Sequence, residues 1–193
     1  MNVLVIPEDF RHDQYVLKPI IEAMLKAAGK PRTKVIVCKD PLLGSVEQAL
    51  KWDRIRDIIS RYRGMTDLFL LCVDRDGVEG RRSRLDEIEQ QAADFAPDCF
   101  FLAENAWQEL EVWLLAGHSL PGEWAWQEIR AHQDPKEAYY IPYAKSREVF
   151  NEPGEGRKTL GREAASRYTR IRARCPEDIA ALENKIRESV AGI

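Results

Sequence analysis

Two short acidic motifs carry residue types and a spacing that could do chemistry. The first is Glu8, two residues beyond the apolar run Val3-Leu4-Val5-Ile6, and the second is Asp74-Arg75-Asp76-Gly77, directly after the apolar run that ends at Val73. In an Asp-x-Asp turn two carboxylates can reach one small cation. A third carboxylate from elsewhere adds to the partial oxygen shell that magnesium accepts while keeping waters. Gly77 permits the tight bend. One or two ions held there could act on a phosphodiester, activating water and stabilising the leaving oxygen. Taken singly, Glu8 also reads as a polar loop residue or a helix-entry acid and Asp74-Arg75-Asp76-Gly77 as a solvent turn, with Asp13 able to cap the first helix. Two such motifs at the ends of strands one and three make a shared metal site the stronger reading.

The elements that must bring these acids together alternate strand and helix. Val3 to Ile6 predicts strand one, and Tyr15 to Ala28 a helix with Val16, Leu17, Ile20, Ile21, Met24 and Leu25 at helical spacing, closed by Gly29. Lys34 to Cys38 predicts strand two. Ser45 can cap a helix carrying Ala49 to Ile59 that ends near Gly64. Leu68 to Val73, the most apolar run, predicts a central strand three. Leu85 to Phe95 predicts a third helix, Cys99 to Ala103 a fourth strand and Glu104 to Ala116 an apolar fourth helix. Ligands of an open parallel sheet bind outside the carboxyl ends of its strands, so both acidic motifs face one crevice if strands one and three are neighbours. The fold class is therefore α/β, a Rossmann-like parallel sheet of about four strands flanked by helices. Beyond Gly117 the strand signals stop, and helices are predicted at Trp124 to His132, Ser146 to Phe150, Gly161 to Arg172 and Pro176 to Val190. These divide the chain into a core over 1–116 and a helical extension over 117–193 packed on it.

Composition narrows the function classes. Hydrophobic residues make up 45% and charged residues 32% of 193, ordinary for a folded globular chain. No apolar stretch approaches the length of a membrane span, and the amino terminus opens on a strand without a basic leader, so a cytoplasmic protein is expected. Cys38, Cys72, Cys99 and Cys175 are widely spaced with no CxxC pair and read as reduced, buried thiols. The net charge of −3 does not advertise a nucleic-acid binder, yet Arg157, Lys158, Arg162, Arg167, Arg170, Arg172 and Arg174 face only Glu163 in their segment. Arg75, Arg81, Arg82 and Arg84 form a second small cluster. His12, His118 and His132 have no metal-ligand spacing, and phosphate-cradling or acyl-transfer motifs are absent from the sequence. Trp107 and Trp113 fall in a buried-helix pattern, and core packing is also the reading for Trp124 and Trp126.

Val3-Leu4-Val5-Ile6-Pro7-Glu8 and Leu70-Leu71-Cys72-Val73-Asp74-Arg75-Asp76-Gly77 resemble the strand-then-glutamate and strand-then-DxD motifs of the Toprim domain, the metal-binding fold of topoisomerases, bacterial primases and several nucleases. The resemblance covers residues 1–116; the family usually has glycine after its glutamate, where Asp9 stands here. It implies that Glu8, Asp74 and Asp76 bind Mg²⁺ or Mn²⁺ or act as general acid/base groups. A narrower resemblance is to small stand-alone Toprim-like proteins and overcoming-lysogenization-defect nucleases of prokaryotic anti-phage systems. It rests on Glu111-Val112-Trp113-Leu114-Leu115-Ala116, which makes Glu111 a candidate fourth acid, with Glu104 and Glu109 as competitors. Some relatives steady the phosphate with a basic residue after this helix, for which Lys145 is the candidate. The resemblance thus implies a nuclease acting on DNA or RNA, the effector of an anti-phage or toxin-like system working with an ATPase partner. Two other readings stand beside it: a non-catalytic docking subunit, and a receiver-like phosphoacceptor using Asp9 and Asp74.

Overall fold

A computed structural model describes residues 1–189. Strand β1 (Asn2–Pro7) leads into helix α1 (Phe10–Ala27), and β2 (Lys34–Val37) precedes two short helices, α2 (Val46–Ala49) and α3 (Trp52–Tyr62). Then come β3 (Leu68–Asp74), α4 (Arg81–Phe95), β4 (Phe100–Ala106) and α5 (Glu111–Ala116). The remainder is helical: α6 (Trp126–Ala131), a π-turn at Lys136–Tyr140 running into α7 (Ile141–Ser146), α8 (Arg157–Ala165), α9 (Tyr168–Arg174), and a second π-turn at Pro176–Ala180 running into α10 (Ala181–Ser189). The protein is α/β, with four parallel strands in the order β2-β1-β3-β4. β1 and β3 are therefore the central neighbours, in a register that sets Pro7 beside Cys72. No described helix is long and apolar enough to cross a membrane.

Strand alternation sends side chains to two cores. Val3, Val5, Leu68, Leu70 and Cys72 face the buried stripe of α1, together with α5 and the carboxyl-terminal helices. Leu4, Ile6, Phe69, Leu71 and Val73 face α3 and α4. The helices after Gly117 thus complete the layer on the α1 side. Their closest approach is α8 against α1, where a Cβ on Gly161 would overlap the Tyr15 carbonyl oxygen.

Several boundaries differ from expectation, each for a local reason. Helix α1 starts at Phe10 because Asp9, not Asp13, is its cap, its carboxylate accepting the Arg11 N–H at 2.9 Å. The single helix expected after Ser45 breaks at Leu50-Lys51 into α2 and α3, and α4 begins at Arg81, four residues before Leu85. Strand β4 runs on to Ala106, because Cys72, Val73 and Asp74 pair with Glu104, Asn105 and Ala106. Helix α5 is correspondingly short, and Trp107 lies in the connecting loop instead of a buried helix. The helix expected at Ser146 to Phe150 lies earlier, as α7, and the one expected at Gly161 to Arg172 is split into α8 and α9. Val190, the last residue of the final expected helix, lies outside the described residues. All four cysteines are free, with Cys99 half-exposed and the others buried.

Candidate metal centre

The parallel pairing of β1 with β3 delivers Glu8 and Asp74 to the same end of the sheet. The Glu8 carboxylate accepts the Asp74 main-chain N–H at 3.2 Å, and Asp74 Oδ1 accepts the Leu110 N–H at 2.8 Å. The loop after β4 braces the acidic turn from the other side. The Gln108 carbonyl accepts from Arg75 N and Asp76 N at 2.7 and 3.2 Å, and its side-chain oxygen accepts from Gly77 N at 2.8 Å. Asp76 and Gln108 are both held at left-handed φ, +53° and +75°, a conformation that costs a non-glycine residue about 1–2 kcal/mol. This bonding holds the turn in place despite that cost.

The acids repel one another. Burial, reinforced by the charges of Asp76 and Glu111, pushes Glu8 up to about 7 against the opposing pull of the Asp74 N–H. Burial, followed by the charges of Glu8, Glu111 and Asp13, holds Asp74 well above the carboxylate range. Asp13 is raised in the same way, by burial and then by Glu8 and Glu111, while its carboxylate accepts the Asp9 N–H at 2.9 Å. Asp76, the most exposed, is raised by burial and relieved by Arg81.

Glu111, at the start of α5, stands in the same field and is matched by Arg157 at the start of α8. Arg157 is 2% exposed, donates Nε to Glu111 at 2.9 Å and Nη1 to Glu155 at 2.7 Å, and packs over the Tyr140 ring. Of the competitors of Glu111, Glu109 lies within its field, and burial together with that charge pushes it up to about 7, whereas Glu104 stands apart. Glu104 pairs with Arg82 and Lys185, and Glu109 accepts the Lys136 N–H.

Other expected participants fall outside this cluster. Lys145 is exposed, with its ammonium 5.2 Å from the Phe150 ring centroid in a recess shared with Glu148 and Asn151, none of the acids among its neighbours there. Asp9 caps α1 and bonds His12 at 3.0 Å. Most of the basic segment 157–174 is spent internally: Arg167 and Arg174 donate to the carbonyls of Gly117, Ala116 and His118, and Arg172 pairs with Glu183. Lys158 and Arg162 instead line a groove of about 420 Å³ with Lys18, along the α1–α8 seam. His118 is fully buried, bonded to the Leu160 carbonyl at 3.0 Å and lowered by burial, so it serves the core.

The sequence does not single out three members of the site as such: Asp13 reads as a helix cap, Arg157 as one of a basic run, and Gln108 as neither. Asp13 had a usable signal, because it stands three, four and seven residues before Val16, Leu17 and Ile20 and so lies on the apolar stripe of α1. Arg157 and Gln108 had none, since their partners lie 46 and 31 residues away. The donor set consists of oxygens alone, which suits hard cations such as Mg²⁺ or Mn²⁺. Among the described residues no group of three or more acidic, histidine or cysteine side chains is already placed to hold a metal ion. Comparison of the chain with protein-family models, with curated proteins and with solved structures gives no match.

Proposed function

We propose that the chain is a Mg²⁺- or Mn²⁺-dependent nuclease that hydrolyses phosphodiester bonds of DNA or RNA. The observation that carries this reading is the gathering of Glu8, Asp13, Asp74 and Glu111 into one another's field at the carboxyl ends of β1 and β3, with Asp76 on the adjoining turn. Burying carboxylates together is costly unless a cation compensates them. Glu8, Asp74 and Asp76 would hold the ion, which when bound supplies Lewis-acid polarisation of the phosphodiester. Where the ion is held by Asp74 and Asp76 alone, Glu8 would instead serve as the general base. Leu110 N–H and the Gln108 brace would orient Asp74 and the turn, and Arg157 would hold Glu111 beside them.

The likeness of both motifs to the Toprim pattern supports the same reading, and with it a cytoplasmic effector of an anti-phage or toxin-like system that works with an ATPase. One observation favours the alternative of a non-catalytic docking subunit: Arg157 on Glu111 and Arg81 beside Asp76 already compensate part of the charge. The deciding experiment incubates the protein with plasmid, single-stranded DNA and RNA, with and without Mg²⁺ or Mn²⁺, beside Glu8→Ala and Asp76→Ala. Cleavage that requires the metal and is lost in both variants supports the nuclease. Cleavage indifferent to metal and to both substitutions, or none even with the partner ATPase present, leaves the docking role.

A further inference from the structure

On the far side of the acidic turn lies a small cavity of about 210 Å³, walled by Arg75, Gly80, Arg81, Arg82 and Trp107 among others. It is smaller than the roughly 300 Å³ at which pockets for drug-sized ligands begin, which suits a single phosphate group with its water. Helix α4 begins at this cavity over 15 residues, and its cap, Gly80, makes no side-chain bond. The first-turn N–H groups of a helix have no intrahelical acceptors, and with the helix dipole they favour an anion.

A second observation is independent of the helix end. Arg81 is only 8% exposed, its Nε has no hydrogen-bond partner, and its Nη2 reaches the Arg75 carbonyl and Asp76 only at 3.4 and 3.5 Å. A buried guanidinium nitrogen left without an acceptor is costly, and a bound oxyanion would supply the missing acceptor. Apart from Arg75, the other charges around the cavity are matched. Arg82 bonds Asp86, Glu89, Glu104 and the Ala103 carbonyl, whereas Glu177 and Asp178 are held by Arg130. Arg75 lies 4.1 Å from the Trp107 ring centroid, where its charge remains available to the cavity.

We infer that Arg81 and the amino-terminal turn of α4 form a phosphate-binding subsite, separated from the acids by the Asp74–Gly77 turn. Naming its occupant as a phosphate of a nucleic-acid strand next to the cleaved bond rests on the nuclease reading. The subsite itself does not depend on it. Arg81 touches Asp76 on one side and the cavity on the other, so it couples the strand to the acidic turn.

The test titrates inorganic phosphate into the full chain in EDTA, with chloride at matched ionic strength as control, following the thermal midpoint and the Arg81 Nε–H resonance. A saturable response that moves the Nε–H signal is expected, weakened about ten- to a hundredfold in Arg81→Gln, as loss of a charged hydrogen bond implies. Arg81→Lys, which keeps the charge but lacks the Nε donor, should be weakened as well and serves if Arg81→Gln does not fold. No response above chloride, or an unchanged affinity in these variants, overturns the subsite. Dinucleotides with and without a 5′-phosphate separate its sources: preference for the phosphorylated one assigns a terminal phosphate, equal binding an internal diester, and binding of neither overturns the proposal. Metal-dependent cleavage without a phosphate response would remove the subsite and leave the nuclease. A phosphate response at Arg81 without cleavage of any nucleic acid would do the reverse.

Discussion

At the residue scale the proposed activity and the pH dependence of stability both rest on the acids. Substituting Glu8 or Asp76 by alanine should lower metal-dependent cleavage about 10²- to 10⁴-fold, the range seen when a positioned proton-transfer group is lost, read as single-turnover rates on a labelled strand. In the metal-free protein Glu8 and Glu104 are both raised to about 7, burial being the main cause in each. Their folded values exceed the unfolded one, so the stability they confer is complete below about 4.5 and is lost as pH rises through about 7. Denaturant unfolding in EDTA should therefore show stability declining across that window. Glu104→Gln should remove at most about 3.5 kcal/mol of the decline, because each tenfold change in proton affinity between the folded and unfolded chain is worth roughly 1.4 kcal/mol. Added Mg²⁺ should counter the part due to the acid cluster and leave the Glu104 part, since Glu104 is held by Arg82 and Lys185 outside that cluster.

At the scale of elements, the site depends on how α8 lies across α1 and α5. Arg157 enters the acid cluster because Gly161, one turn later on α8, lets that helix close on the Tyr15 carbonyl. Gly161→Ala should force the helices apart and cost about 1–3 kcal/mol, measured as a lowered midpoint in urea, with the metal affinity falling as well. Removing Arg157 alone leaves Glu111 buried without its partner, so Arg157→Ala should destabilise by about 3–5 kcal/mol. Pairing Arg157→Met with Glu111→Leu should recover most of that loss in thermal unfolding. An unchanged midpoint in Arg157→Ala would show that the pair is not buried in solution. The loop between β4 and α5 has a comparable role, since Gln108 alone supplies acceptors to Arg75, Asp76 and Gly77.

For the whole molecule, the carboxyl-terminal segment and the sheet form one structure around a shared node. Asp178 is 2% exposed and accepts from Trp107 N at 3.0 Å, from Trp113 Nε1 at 2.7 Å and from both terminal nitrogens of Arg130. It thereby ties the end of the chain to the loop that braces the acidic turn. Metal binding at that turn should consequently stabilise the fold as a unit. At a hundredfold excess over its Kd, Mg²⁺ should add about 2.7 kcal/mol in a single unfolding transition, and Asp76→Ala should abolish the gain. Two separate transitions would show instead that residues 117 onward unfold independently.

Local pattern determined the sheet and the two acidic motifs, because continuous apolar runs and a 3.6-residue stripe are visible within a few turns of chain. It placed Glu8 beyond β1 and Asp74 with Asp76 at the end of β3 before any neighbour was known. Element ends were less legible. Asp9 and Asp13 are both able to cap a helix, and only the packed α1 selects Asp9. The extension of β4 through Glu104 to Ala106 follows from pairing with β3, which overrides the helical look of that segment. The remaining members of the site were decided by tertiary structure alone. Arg157 is the cation beside Glu111, and Arg81 becomes a buried donor without an acceptor, because each role depends on partners that only packing brings within bonding distance.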